Sequence, residues 1–228
     1  MQVYREEKKE NRKAVADGSV KLANLPRNWL HQGFRYMDST EKLGRAIIEL
    51  AEIILLLLIL AGISDRSFLN VLSIAIAAVL VHTINWIVNS NWWALMLFAF
   101  PGLNNPGESV TCSYLNRMAQ RLKRSSCISG VLIFGSVARK AWHNRSDIDI
   151  RLLRKPGFPN NVFAFFIMTR ERFLAFCSAQ PIDMFLADDS AFLEKMREDE
   201  TPIFLLKRDK HLEQAYPEQQ ETILCSLH

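Results

Sequence analysis

From Ala46 to Ile63 the chain is almost continuously apolar, with Glu49 and Glu52 as its only charged residues. After a short link, Ser64-Asp65-Arg66-Ser67, a second run extends from Phe68 to Val88 without a formal charge. Each run approaches the roughly 20 apolar residues that a helix needs to cross a bilayer. A soluble core helix of that length keeps a polar face, and Ile53 to Ala61 has none. The pattern predicts a transmembrane helical hairpin over 46–63 and 68–88, against the alternative of a buried helical pair in a soluble oligomer. A third patch, Trp92 to Phe100, is too short to span. Its paired tryptophans suit the interfacial belt, and Pro101-Gly102 ends any helix there. An interfacial or re-entrant segment is expected, with a packing lid over the following domain as the alternative.

Beyond residue 102 the periods change. Ser109 to Arg124 reads as a helix with Ser109 as N-cap and an apolar stripe of Tyr114, Leu115, Met118 and Leu122. Its basic face (Arg117, Arg121, Lys123, Arg124) is either solvated or faces anionic headgroups. Ile128 to Phe134 predicts a strand, followed by a short helix from Ser136 and a second strand through Asp147 to Ile150. Lys155 to Pro159 is a turn, and a helix to about Ala179 follows. Pro181 to Ala187 predicts a third strand. Asp188 and Asp189 then cap an acidic helix to Asp199, and Ile203 to Leu206 adds a last strand. The tail from Lys207 is expected to be polar and unordered. The resulting fold class is α+β, a small mixed-sheet domain preceded by a two-helix transmembrane hairpin. The expected division is 1–45, a basic arm; 46–102, hairpin plus interfacial segment; 103–207, the sheet domain; and 208–228, the tail.

Chemistry concentrates in Phe134-Gly-Ser-Val-Ala-Arg139 and Ser146-Asp-Ile-Asp-Ile150. Positions two apart on a strand share a face, so Asp147 and Asp149 can aim both carboxylates at one point. Oxygen-only ligation by one or two carboxylates plus substrate phosphates suits Mg²⁺. The Gly135-Ser136 turn lets backbone N–H groups approach a phosphate.

These residues resemble the nucleotidyltransferase superfamily typified by DNA polymerase beta, and most closely its minimal single-domain members. Their pattern is an apolar strand, F-G-S-x-A-R-G, a spacer, and S-D-[IVL]-D-[LIV]. Val131 to Phe134 supplies the strand, and Gly135, Ser136, Ala138, Arg139, Ser146, Asp147 and Asp149 match in order. Lys140 departs from it, standing where the family often has glycine. The resemblance implies a third acid on a neighbouring strand, and Asp183 stands at that place. It further implies two Mg²⁺ ions held by Asp147, Asp149 and Asp183, with Asp183 orienting or deprotonating the attacking hydroxyl. A nucleoside triphosphate, expected to be ATP, would set its phosphates against Gly135 and Ser136, with Arg139 offsetting their charge. Without the resemblance, Asp183 is an ordinary strand-end acid, and Lys140 and Arg145 are either phosphate contacts or solvated charges.

The charged fraction of 23% hides a sharp asymmetry, with residues 46–100 overwhelmingly apolar and both flanks charged. Lys42 and Arg45 precede the first run, and the arm before them carries eight further basic residues (Arg5, Lys8, Lys9, Arg12, Lys13, Lys21, Arg27 and Arg35), whereas the link holds only Arg66 beside Asp65. The positive-inside rule then predicts the inner (cytoplasmic) membrane, two spans, and both termini in the cytoplasm. The charged opening residues predict no secretory signal. Residues 1–21 are expected to be a solvated helix or a disordered tail. Trp29, Phe34 and Tyr36 with Arg27 and Arg35 suit a membrane surface. If the hairpin turns near 65–66, Glu49 stands level with about position 82, where His82 lies, roughly 25 Å from the tip. Glu52 is a turn deeper, and Asn85 and Asn89 share the face of His82. A structural polar pair is favoured over a substrate path. Cys112, Cys127, Cys177 and Cys225 show no paired spacing and read as reduced thiols.

The function expected from the resemblance is a membrane-anchored, Mg²⁺-dependent nucleotidyltransferase that moves a nucleoside monophosphate onto an acceptor hydroxyl. The hairpin points to a lipid headgroup, a lipid-linked glycan or a membrane protein as acceptor, and to a homo-oligomer. The enzymatic alternative is an antitoxin-like or small-molecule adenylyltransferase. Another class is a non-catalytic membrane nucleotide sensor or scaffold. A nucleic-acid polymerase is disfavoured, because no extra domain is present to hold a template.

Overall fold

The computed structural model describes residues 25–31, 37–63, 70–187 and 201–217. Residues 1–24 and 32–36 of the basic arm (Phe34 and Tyr36 among them), the link at 64–67, Asp188, Asp189, the acidic helix to Asp199 and the extreme C-terminus lie outside them. Among the described residues the protein is α+β. Helices α1 (Leu25–His31), α2 (Ser39–Ile63) and α3 (Val71–Trp86) precede a π-helical turn at Ile87–Asn91 and α4 (Trp92–Ala99). Then come α5 (Glu108–Lys123), β1 (Ile128–Phe134), α6 (Gly135–Ala138), β2 (Ile148–Arg154) and α7 (Phe158–Cys177). Strands β3 (Ile182–Ala187) and β4 (Ile203–Lys207) and helix α8 (Lys210–Ala215) complete the chain.

The sheet runs β3-β2-β1-β4. β1 is antiparallel to both β2 and β4, and β2 is parallel to β3, so the sheet is mixed. β1 is a central strand covered on both faces: Val131 to Phe134 is an unbroken apolar run, and all seven residues of the strand are buried. One face packs Val131, Ile133, Ile150 and Met184 against α5 and α7. The other packs Leu132, Phe134, Leu153 and Phe204 under Leu212 of α8 and Tyr216.

Two helical segments, Ser39–Ile63 and Val71–Asn89, are long and apolar enough to cross a membrane. On α2, Leu50, Ile54, Leu55, Leu58 and Ile59 are exposed. The second run starts later than its first apolar residues suggest, because Asn70 caps α3. Its side chain accepts from the Ser73 N–H at 3.0 Å, while Ser73 Oγ accepts from the Asn70 N–H at 3.0 Å. The two legs touch through polar groups. His82 Nδ1 lies 2.7 Å from Glu49 Oε1, and Asn85 donates to Glu52 at 2.6 Å. These two contacts cross diagonally between antiparallel helices, so Glu49 stands level with about Asn85 and Glu52 with about His82. His82 Nε2 lies 3.0 Å from the Trp29 carbonyl, and the Trp29 indole donates to Thr83 at 3.0 Å.

Four expectations are corrected. First, α5 starts at Glu108 behind Gly107, whose φ of +87° turns the chain, so Ser109 is not the cap. Second, the first hairpin helix begins at Ser39, seven residues before the apolar run, because Asp38 accepts from the Glu41 N–H at 2.6 Å. Third, the segment after Lys207 is not wholly without structure: Asp209 caps α8, and Leu212 is fully buried. Fourth, Trp92 and Trp93 are buried rather than at an interface. The π turn re-phases the helix, so that Trp92 meets Phe176 edge-on at 5.8 Å and Trp93 Nε1 donates to the Arg145 carbonyl at 3.1 Å. This is the packing-lid alternative for that segment.

Candidate functional site at one end of the sheet

The end of β1 and the starts of β2 and β3 meet at one edge of the domain. Parallel pairing sets Asp149 directly beside Asp183, and antiparallel pairing sets Phe134 beside Asp149. Cross-strand partners share a face, so the two carboxylates lie side by side on the face opposite α5 and α7. Burial, and after it the charge of Asp149, pushes the Asp183 carboxyl up to about 6 against the opposing pull of Arg151, Arg172 and Arg45. Arg151 also lies over the Phe185 ring, 4.7 Å from its centroid.

Gly135 is built for this neighbour. It has φ +73°, and a Cβ there would collide with Asp149 Oδ2. Glycine alone allows both the left-handed backbone and the close approach. Ser136 Oγ sits 3.5 Å from the Asp147 carbonyl, which ties the turn to the approach of β2. Asp147 itself precedes β2 and is exposed. Arg139, partly exposed, ends α6 with its N–H on the Gly135 carbonyl at 3.2 Å. Lys140 follows with φ +54° and Ala141 N–H reaches back to the Ser136 carbonyl at 2.8 Å. That is the left-handed helix exit usually taken by glycine.

The structure thus brings Gly135, Asp149 and Asp183 together, with Ser136 and Asp147 adjoining them. Among the described residues no group of three or more His, Cys, Asp and Glu stands ready to hold a metal ion. The pair Asp149 and Asp183 nonetheless fits Mg²⁺, which takes one or two carboxylates together with substrate phosphates.

Two supporting elements escaped the sequence pattern. Buried Asn105 donates to the carbonyls of His143 at 3.0 Å and Ser146 at 3.2 Å, holding the loop that delivers Asp147. On the far side of β3, fully buried Glu41 accepts from Arg45 at 2.7 Å, from Arg172 at 2.8 Å and from the Leu186 N–H at 3.0 Å. Arg172 also donates to the Met184 carbonyl. The outward amide and carbonyl of the edge strand are therefore closed by the first hairpin helix. Asp38 and Thr40 extend the joint to Arg154, at 3.4 Å and 3.1 Å. The signal was present: Asp38-Ser-Thr-Glu41 has the spacing of a capping motif, and Glu41 and Arg45 are one helical turn apart. Compared with known proteins, the chain matches no family model and no curated protein.

Proposed function

We propose that this protein is a membrane-anchored, Mg²⁺-dependent nucleotidyltransferase. The observation that carries this reading is the in-register pair Asp149 and Asp183, with Gly135 in a positive-φ turn pressed against Asp149. That pair lies within the sequence pattern resembling minimal nucleotidyltransferases. Asp147, Asp149 and Asp183 would hold the ions. When bound, Mg²⁺ neutralises phosphate charge and stabilises the attacking and leaving oxygens of an in-line displacement. The backbone at Gly135 and Ser136 cradles the β- and γ-phosphates of a nucleoside triphosphate, ATP for preference, and Arg139 offsets their charge. The acceptor hydroxyl oxygen attacks the α-phosphorus as the bond to the bridging oxygen breaks, and pyrophosphate leaves with that electron pair. Asp183, paired in register with Asp149, is placed to orient the attacking hydroxyl and take its proton.

The membrane half of the proposal is two spans with both termini cytoplasmic. It rests on the two apolar helices and on basic residues at the base of the hairpin rather than at its link. The acceptor is then a membrane component: a lipid headgroup, a lipid-linked glycan or a protein. The test is transfer of label from α-labelled nucleoside triphosphates in the presence of Mg²⁺, with and without native membrane extract. Label on a membrane component with wild type and none with Asp149→Asn is expected. Nucleotide binding without transfer under any condition refutes catalysis and leaves a sensor or scaffold.

A further inference from the structure

The helix that backs the candidate site carries an unusual outer face. On α7, Phe158, Phe163, Phe166 and Phe173 are 78%, 62%, 57% and 55% exposed. At 3.6 residues per turn, Phe158, Val162, Phe166 and Phe173 fall within an arc of about 80°, with Phe163 beyond its edge. Arg170 is the charged residue on that side. Soluble surfaces seldom concentrate aromatic side chains in this way, and such patches mark protein or membrane contacts.

What covers this face follows from where α7 sits. Its Phe165 ring lies against Gly44 of the first hairpin leg, 2.6 Å from where a Cβ would stand. Its Arg172 pairs with Glu41 of the same leg, and its Phe176 meets Trp92 just beyond the π turn of the second leg. Phe165 and Phe176 are about 16 Å apart along α7. The helix therefore lies across the base of both legs, at the level where their apolar runs begin. Phe165 and Arg172, which meet α2, border the exposed arc, so the aromatic face is continuous with the apolar outer surface of the hairpin.

We infer that the outer face of α7 rests on the lipid bilayer, with its aromatic side chains at the headgroup–acyl boundary and Arg170 among the headgroups. An interfacial helix buries its apolar face in that way. The inference rests on the membrane reading of the hairpin. It adds that the sheet domain is held against the bilayer by a surface of its own.

Spin labels in proteoliposomes of phosphatidylcholine and phosphatidylglycerol test it. Phe163→Cys and Phe166→Cys are each labelled in the full chain with Cys177→Ser and Cys225→Ser, and relaxation by oxygen is compared with relaxation by a water-soluble nickel chelate. Leu58→Cys on α2 reports the bilayer, and Glu213→Cys on α8 reports water. The expected result is an oxygen-to-nickel accessibility ratio at both α7 positions several-fold above that of Glu213→Cys. Ratios equal to that of Glu213→Cys, with Leu58→Cys still in lipid, overturn the α7 surface alone. Exclusion of both reagents from α7 also overturns it, in favour of coverage by another part of this chain or a second copy. Access of nickel to Leu58→Cys overturns the membrane reading and this inference with it.

Discussion

Replacing Asp183 by asparagine should make the metal-free protein more stable while removing its chemistry. The carboxyl is raised from 3.8 to about 6 by burial and by Asp149 beside it. Below pH 4 both folded and unfolded chains carry the proton, and no difference arises. Between about 4 and 6 the unfolded chain has lost its proton and the native one keeps it. The unfolded state then binds fewer protons, so stability falls as pH rises, and above 6 the whole penalty persists. At about 1.4 kcal/mol per unit, roughly two units amount to about 3 kcal/mol. Partial exposure of the side chain reduces this to about 2 kcal/mol. Asp183→Asn should therefore melt about 4–8 °C above wild type at pH 8 and with no such advantage at pH 4. The assay is thermal unfolding in detergent, followed by tryptophan fluorescence from pH 4 to 8. Taking the difference between the two proteins cancels the groups they share. Mg²⁺ at pH 8 should narrow the gap, since a cation between Asp149 and Asp183 relieves the same repulsion. A difference that does not change with pH, or a less stable variant at pH 8, refutes the buried-pair reasoning.

Three further outcomes are expected. Gly135→Ala adds a Cβ at φ +73° against Asp149; it should cost about 1–2 kcal/mol of stability and reduce nucleotide transfer at least tenfold, measured with the α-label assay. Lys140→Gly relieves a left-handed residue and should raise stability by up to about 1 kcal/mol in the same melts, leaving Asp149 and Asp183 undisturbed. Glu41→Ala leaves Arg172 and the Leu186 amide without their buried acceptor; a loss of about 3–5 kcal/mol is expected in urea unfolding, with Glu41→Gln recovering part of it through the amide oxygen.

The strand that carries Asp149 was legible because strand chemistry is local, although it begins at Ile148 and leaves Asp147 just before it. Asp147 and Asp149 alternate with Ile148 and Ile150, and that period alone predicts a half-buried strand. The placing of Asp183 beside Asp149 is of another kind. It depends on β2 and β3 pairing in parallel across α7, and nothing within either strand specifies that neighbour. Lys140 is an instructive middle case. Its departure from glycine is visible in the sequence, but only its φ of +54° shows that the backbone keeps the glycine-like conformation with a lysine in place. Helix α8 was missed because six residues with Leu212 as their main apolar anchor present no period to count. Its signal lay in Asp209 as a cap and in Leu212 and Tyr216 one turn apart. Glu41 was missed for the opposite reason. Hydropathy starts a span at its first uncharged stretch, and a carboxylate buried in a neighbouring domain reads as the charged flank of that span.

That misreading bears on how the two halves of the protein work together. A flexible linker between hairpin and sheet would let the site sample any orientation toward the bilayer. Instead α2 enters the edge of β3 without a break in its helix, and Glu41 holds the amide of Leu186, three residues along the strand from Asp183. Arg172 holds the Met184 carbonyl, one residue from Asp183, and takes Glu41 as its own partner. The strand bearing one carboxylate of the pair is thus fixed by the same turn of helix that leads into the first apolar run. Any tilt of that helix moves Glu41, and Glu41 cannot move without loosening the β3 edge, because its oxygens are taken by Arg45, Arg172 and the strand itself. On the proposed function, this joint makes the bilayer part of the frame that positions Asp183 toward an acceptor.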